Sequence, residues 1–135
     1  TSIIDMGDFA GGALKYLRDN PVPRVTLAGG FGKLAKLAAG HLDLHSKRSQ
    51  VDIKFLARLA GSAGASSKIT QEIEATETAA QALLVAKRED VFLGDAVAAR
   101  AQETALDQVN GAVDIEVIVV DRAGMPVGRA GFSKP

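Results

Sequence analysis

The chain has 135 residues, 47% of them hydrophobic, which suffices for one globular domain of ordinary size and is too short to argue for two. Its 16 basic residues balance 16 acidic ones, so no overall field draws it toward nucleic acid or an anionic membrane, and any anion binding has to be local. The absence of cysteine excludes disulfides, thiolate-bound metal and thiol catalysis within these residues and suits the cytoplasm expected for it, while the longest apolar runs, such as Val117 to Val120, fall far short of the ~20 residues a bilayer-spanning helix needs.

In chain order, Ser2 to Met6 is a short apolar-rich run stopped by Gly7, and Asp8 can cap the following helix, whose apolar face carries Phe9, Ala13, Leu14 and Leu17. A start at Thr1, in a run that already reads as structure and not as a signal peptide, points to a fragment or processed chain of a longer protein. Asn20-Pro21-Val22-Pro23 breaks the helix, Arg24 to Ala28 gives a second strand, and Gly29-Gly30-Phe31-Gly32 leads into a helix expected from about Lys33 to His45. Two strand-to-helix units in succession predict parallel strands.

From Val51 the pattern is helical, with Ile53, Leu56, Ala57 and Ala60 on one face before a loop at Gly61 to Ser67. Ile69 to Lys87 reads as one alanine-rich helix and Asp95 to Gln108 as another, with Leu93-Gly94 as the break before the second and Asn110-Gly111 as its stop. Ile115 to Val120 is the clearest strand, a β-branched run that predicts burial on both faces. Asp121-Arg122-Ala123-Gly124 turns it into a short antiparallel strand at Val127 to Ala130. The expected fold is a layered α/β domain with a short, partly parallel sheet, an antiparallel C-terminal hairpin and helices packed around the sheet.

Chemistry in such a fold belongs at the carboxyl ends of the strands. Met6-Gly7-Asp8-Phe9 and Ala28-Gly29-Gly30-Phe31-Gly32-Lys33 each follow a strand and open a helix, where free backbone N–H groups favour carboxylate or phosphate and glycine permits unusual angles and close approach by a ligand. The same glycines also suit plain tight turns. Gly30-Phe31-Gly32-Lys33-Leu34-Ala35 fits the G-x-G-x-x-A dinucleotide fingerprint, but the acidic residue at the right distance, Asp52, stands at a helix start and not at a strand end. A phosphate-binding P-loop fails on glycine spacing and on Leu34, which occupies the magnesium-ligating Ser/Thr position.

Lys33 and Lys36, three apart, reach neighbouring places on a helix surface and can grip carboxylates. His41 and His45, four apart beside the leucine face of Leu34, Leu37 and Leu44, read as semi-buried residues that pack or contact a substrate; no third metal ligand accompanies them, and no metal site is expected. Lys47 and Arg48, after Ser46, suit the end of a helix dipole.

These segments resemble the C-terminal part of the CbiD family. That family's pattern has a Met-Gly-Asp-Phe turn, a glycine turn running into Gly-Lys-Leu-x-Lys-Leu-Ala-Ala-Gly, and a Thr-His-Ser ending followed by Asp. The counterparts are Met6 to Phe9, Gly32 to Gly40, and His45-Ser46 with Asp52, in the same order; Leu44 stands where many relatives carry Thr. The resemblance implies methyl transfer from S-adenosylmethionine to C1 of cobalt-precorrin-5B, giving cobalt-precorrin-6A in anaerobic cobalamin synthesis. It also implies an anionic tetrapyrrole as substrate and an N-terminal domain of the same enzyme as partner. Lys33, Lys36, His45 and Ser46 are the expected ligand contacts, Gly29, Gly30 and Gly32 shape the crevice, Gly7 and Asp8 form a second loop, and no catalytic base is assigned. A nucleotide-binding oxidoreductase domain and a non-catalytic interaction domain are the competing classes.

Overall fold

The computed structural model describes residues 2–5, 10–20, 22–41, 51–111 and 113–132. Among them are strands β1 (Ser2–Asp5), β2 (Arg24–Gly30), β3 (Asp114–Val120) and β4 (Pro126–Ala130). The helices are α1 (Ala10–Asp19), α2 (Phe31–Ala38), α3 (Ile53–Ser62), α4 (Ser67–Glu74), α5 (Ala79–Lys87) and α6 (Leu93–Gln108). One sheet of order β1-β2-β3-β4 results, with β1–β2 parallel and β3–β4 antiparallel, as the strand-to-helix units and the hairpin predict, and with β2–β3 parallel as well. No helix among the described residues is long and apolar enough to cross a membrane.

Strand alternation sorts the side chains onto two faces. Val25 and Leu27 of β2 and Ile115, Val117 and Val119 of β3 are fully buried in one core with residues from all six helices. The intervening residues point the other way: Thr26, Asp114 and Glu116 are buried polar groups, while Ile118 and Val120 are only half-buried. The β3 strand is therefore covered less evenly than its unbroken β-branched run predicts.

Helix α6 lies against the sheet closely because its buried positions Ala98, Ala101 and Ala105 are small. Its N-terminus comes closer still. A Cβ placed on Gly94 would sit 2.0 Å from the Val127 carbonyl oxygen, and one on Gly128 would sit 2.1 Å from the Gly94 carbonyl carbon. Gly94 thus belongs to the first turn of α6 as a contact point with β4, and the helix break expected there lies just before Leu93. Asp95, next in the turn, accepts a hydrogen bond from the Arg129 N–H at 2.8 Å.

Two further helix boundaries differ from the sequence expectation. Helix α2 ends at Ala38, not near His45, because Gly40 takes a left-handed φ of 97° and the chain closes back with Gly40 N–H on Leu37 O and His41 N–H on Lys36 O. The stretch expected as one helix from Ile69 to Lys87 is α4 and α5. Thr78 starts the second with a reciprocal cap: its Oγ1 accepts from Gln81 N at 3.1 Å, and Gln81 Oε1 accepts from Thr78 N at 3.2 Å. The Glu89 carboxylate, just past α5, ties this pair back to the α4 start by accepting from Ser66 N at 3.0 Å and Ser66 Oγ at 2.8 Å, and those donors hold its pKa below the ordinary value.

Candidate ligand-binding crevice

A cavity of about 780 Å³ opens at the carboxyl ends of β2 and β3, where open α/β sheets bind their ligands. Its volume is in the range of small-molecule pockets. Gly30, the first turn of α2 and Lys36 form one wall. The end of β3 with Asp121 and Arg122 forms the second, and the start of α5 from Glu77 to Ala80, with Leu83, forms the third.

The β2-to-α2 passage owes its shape to a strand that ends in glycine. Gly30 is the N-cap of α2 at φ −68°, ψ 153°, and with no side chain it makes no cap hydrogen bond to the first turn. The backbone N–H groups of this helix start, at the positive end of the helix dipole, therefore receive no acceptor from the N-cap residue. A Cβ on Gly30 or Gly32 would meet nothing within 4 Å, and neither residue has a positive φ. The unusual backbone angles expected of these glycines are absent, since both adopt angles open to any residue; what they provide is room. Gly29 is buried within β2, paired in register with Val119, and does not line the cavity.

Lys33 and Lys36 are half-buried on the α2 wall and line the cavity together, as their spacing predicts. His41 is half-buried just beyond the end of α2. Gly7, Asp8, His45 and Ser46 lie outside the described residues. Asp52 caps α3 by accepting from Phe55 N at 3.0 Å, a structural use that removes it from the dinucleotide fingerprint.

The structure adds groups that the sequence reading does not assign to a site. Arg122 projects from the β3–β4 turn, which Asp121 builds: its carboxylate accepts from Ala123 N at 2.9 Å and Met125 N at 3.0 Å, with Gly124 at φ 81°. Asp121 is thus occupied in the turn, and Arg122 is exposed and carried to the cavity rim. Glu77 brings an exposed carboxylate from the α5 side. The crevice is accordingly lined by three cationic side chains and by the start of α2, which suit an anionic group, by one exposed carboxylate that suits a cationic group, and by apolar surface from Phe31, Leu83 and Val120.

Residues 43–131, more than half of the chain, match the family described as CbiD, C-terminal domain. Three proteins named cobalt-precorrin-5B C(1)-methyltransferase are among its relatives. That of Burkholderia pseudomallei (strain K96243) is 55% identical over 129 residues, 96% of this chain and 36% of that protein. That of Halorhodospira halophila (strain DSM 244 / SL1) is 49% identical over 134 residues, 98% and 36% respectively. That of Pseudomonas paraeruginosa (strain DSM 24068 / PA7) is 50% identical over 130 residues, 96% and 36% respectively. The chain therefore spans about a third of the length of the curated relatives it matches, and no solved structure matches it. Matched by that model across both the helical layer and the C-terminal hairpin, the chain belongs to the CbiD family as its C-terminal domain.

Proposed function

We propose that the complete enzyme containing this chain methylates C1 of cobalt-precorrin-5B, giving cobalt-precorrin-6A in anaerobic cobalamin synthesis, and that it does so in the cytoplasm with S-adenosylmethionine as methyl donor. The observation that carries this reading is identity at about half of all positions, over nearly the whole of this chain, with proteins bearing that enzyme name. The crevice supports it. S-Adenosylmethionine, when bound, supplies an electrophilic methyl group, so the protein's own work is to bind, align and exclude water.

In this reading Lys33, Lys36, Arg122 and the amides at the start of α2 hold peripheral carboxylates of the tetrapyrrole. Charge-assisted hydrogen bonds of this kind orient as well as attract. Gly30 and Gly32 leave the space in which a ligand approaches the backbone, and Glu77 suits the cationic donor. His45, Ser46, Gly7 and Asp8 complete the proposed contacts on the strength of the family pattern. A cavity at the outer end of one sheet encloses a reaction only when a second body closes it, so this chain alone is expected to be inactive.

Incubation of the complete enzyme with S-adenosylmethionine and cobalt-precorrin-5B is expected to give the C1-methylated product, and incubation of this chain alone to give none. Absence of product from the complete enzyme would overturn the activity. Comparable turnover by the chain alone would overturn the division of the site between two parts. Replacing both Lys33 and Lys36 with Ala in the complete enzyme is expected to weaken corrinoid binding about tenfold or more at low ionic strength and distinctly less in high salt, because the attraction is screened. Equal binding at every salt concentration would reduce both to ordinary surface lysines.

A further inference from the structure

We infer that the second face of the sheet is the docking surface for the rest of the enzyme, the length that its relatives carry beyond the matched third. Three of the four strands run parallel, and parallel sheets in proteins are almost always covered on both faces. Here every described helix shares the single core beneath Val25, Leu27, Ile115, Val117 and Val119. On the opposite face Ala28 and Ile118 are half-buried yet take no part in that core. Ile3, in register with Thr26 on this same face, is 76% exposed.

The charges on this face are already arranged for loss of water. Glu116, 8% exposed at its side chain, accepts from Thr26 Oγ1 at 3.0 Å and from Arg129 Nε at 2.7 Å, and Arg24 stands 4.0 Å from the buried Asp114 carboxylate. A partner can cover paired carboxylates without stranding a bare charge, whereas an unpaired one would forbid it. An ordinary solvated sheet face leaves its carboxylates to water; this one holds them under arginines between apolar side chains.

The size and position of the missing length identify the occupant. The chain makes up 36% of its relatives, leaving roughly two thirds, enough for a further domain, and the matched family is the C-terminal one, so that length joins the fold at β1, an outer strand beside this face. The face also runs into the crevice, since Gly30 and Val120, at the ends of the same alternation, line the cavity. The docked part therefore forms the wall that this chain lacks. The inference concerns burial of a surface and stands whether or not the methyl-transfer reading holds.

The test is thiol labelling in the complete enzyme, with its other cysteines replaced by serine. Ile3→Cys is expected to react at least tenfold more slowly than Leu84→Cys, although in this chain Ile3 is 76% and Leu84 67% exposed. Ile118→Cys, at the centre of the face and distant in sequence from the junction, is expected to share the protection. Equal rates at positions 3 and 84 would overturn the inference. Protection that disappears on dilution would overturn it too, by assigning the face to a second copy of the protein.

Discussion

Gly30→Val in the complete enzyme is expected to lower kcat/KM about a hundredfold or more while leaving stability within about 1 kcal/mol of the parent. The two effects separate because of where the new side chain goes. At φ −68°, ψ 153° Gly30 already has an extended backbone that valine adopts without strain, and a Cβ there meets no protein atom within 4 Å. The branched side chain enters the crevice instead, beside the amides of the α2 start. Steady-state kinetics and a denaturant melt on the same preparation decide the matter. A stable variant with unchanged kinetics would remove this cavity from consideration as the site, and activity lost in step with stability would return Gly30 to a purely structural role.

Gly94→Ala is expected to cost about 3 kcal/mol of stability, and Gly128→Ala a similar amount. The atoms that an added methyl group would meet are backbone: Val127 O at 2.0 Å and C at 2.7 Å for the first, Gly94 C at 2.1 Å and Asp95 N at 2.6 Å for the second. No rotamer change relieves such a contact, so α6 and β4 must move apart along a helix that also packs on β3 and α2. Because a single separation admits both methyl groups, the double variant should lose less than the sum. Gly32→Ala serves as the comparison, since its Cβ meets nothing and alanine favours the helix by about 0.5–1 kcal/mol. Urea midpoints that fail to separate positions 94 and 128 from position 32 would contradict the close crossing.

These two glycine pairs also show how far the sequence could be read. Gly30 and Gly32 were legible as a crevice because strand, turn and helix are contiguous there, and Lys33 and Lys36 followed from helical spacing alone. The β3–β4 hairpin was legible for the same reason, with Asp121 and Gly124 both inside one turn. Gly94 was not: a glycine near a helix start looks like punctuation, and only the arrival of Gly128, far along the chain, turns it into a contact. The α4–α5 break had a local signal in Thr78 and Gln81, a Ser/Thr-x-x-Glu/Gln spacing hidden by an alanine-, glutamate- and glutamine-rich composition that favours continued helix. Gly40 was likewise a stop signal outweighed by the leucine spacing around it. Arg122 and Glu77 reach the cavity from different elements, and nothing local in either segment says that they meet.

The hydrogen bond from Arg129 N–H to Asp95 has a consequence for how the sheet can grow. An outer strand normally presents unpaired amides that template the addition of another strand, whether from the same chain or a neighbouring molecule. On β4 that position is taken by a carboxylate carried on α6, and the glycine crossing at Gly94 and Gly128 seats the helix against the strand just beside it. Strand addition is thereby disfavoured at the hairpin end. A strand added from elsewhere is therefore favoured beyond β1, and association of molecules edge to edge through the hairpin is opposed by this occupied amide together with Pro126, the exposed first residue of β4, which has no N–H to offer.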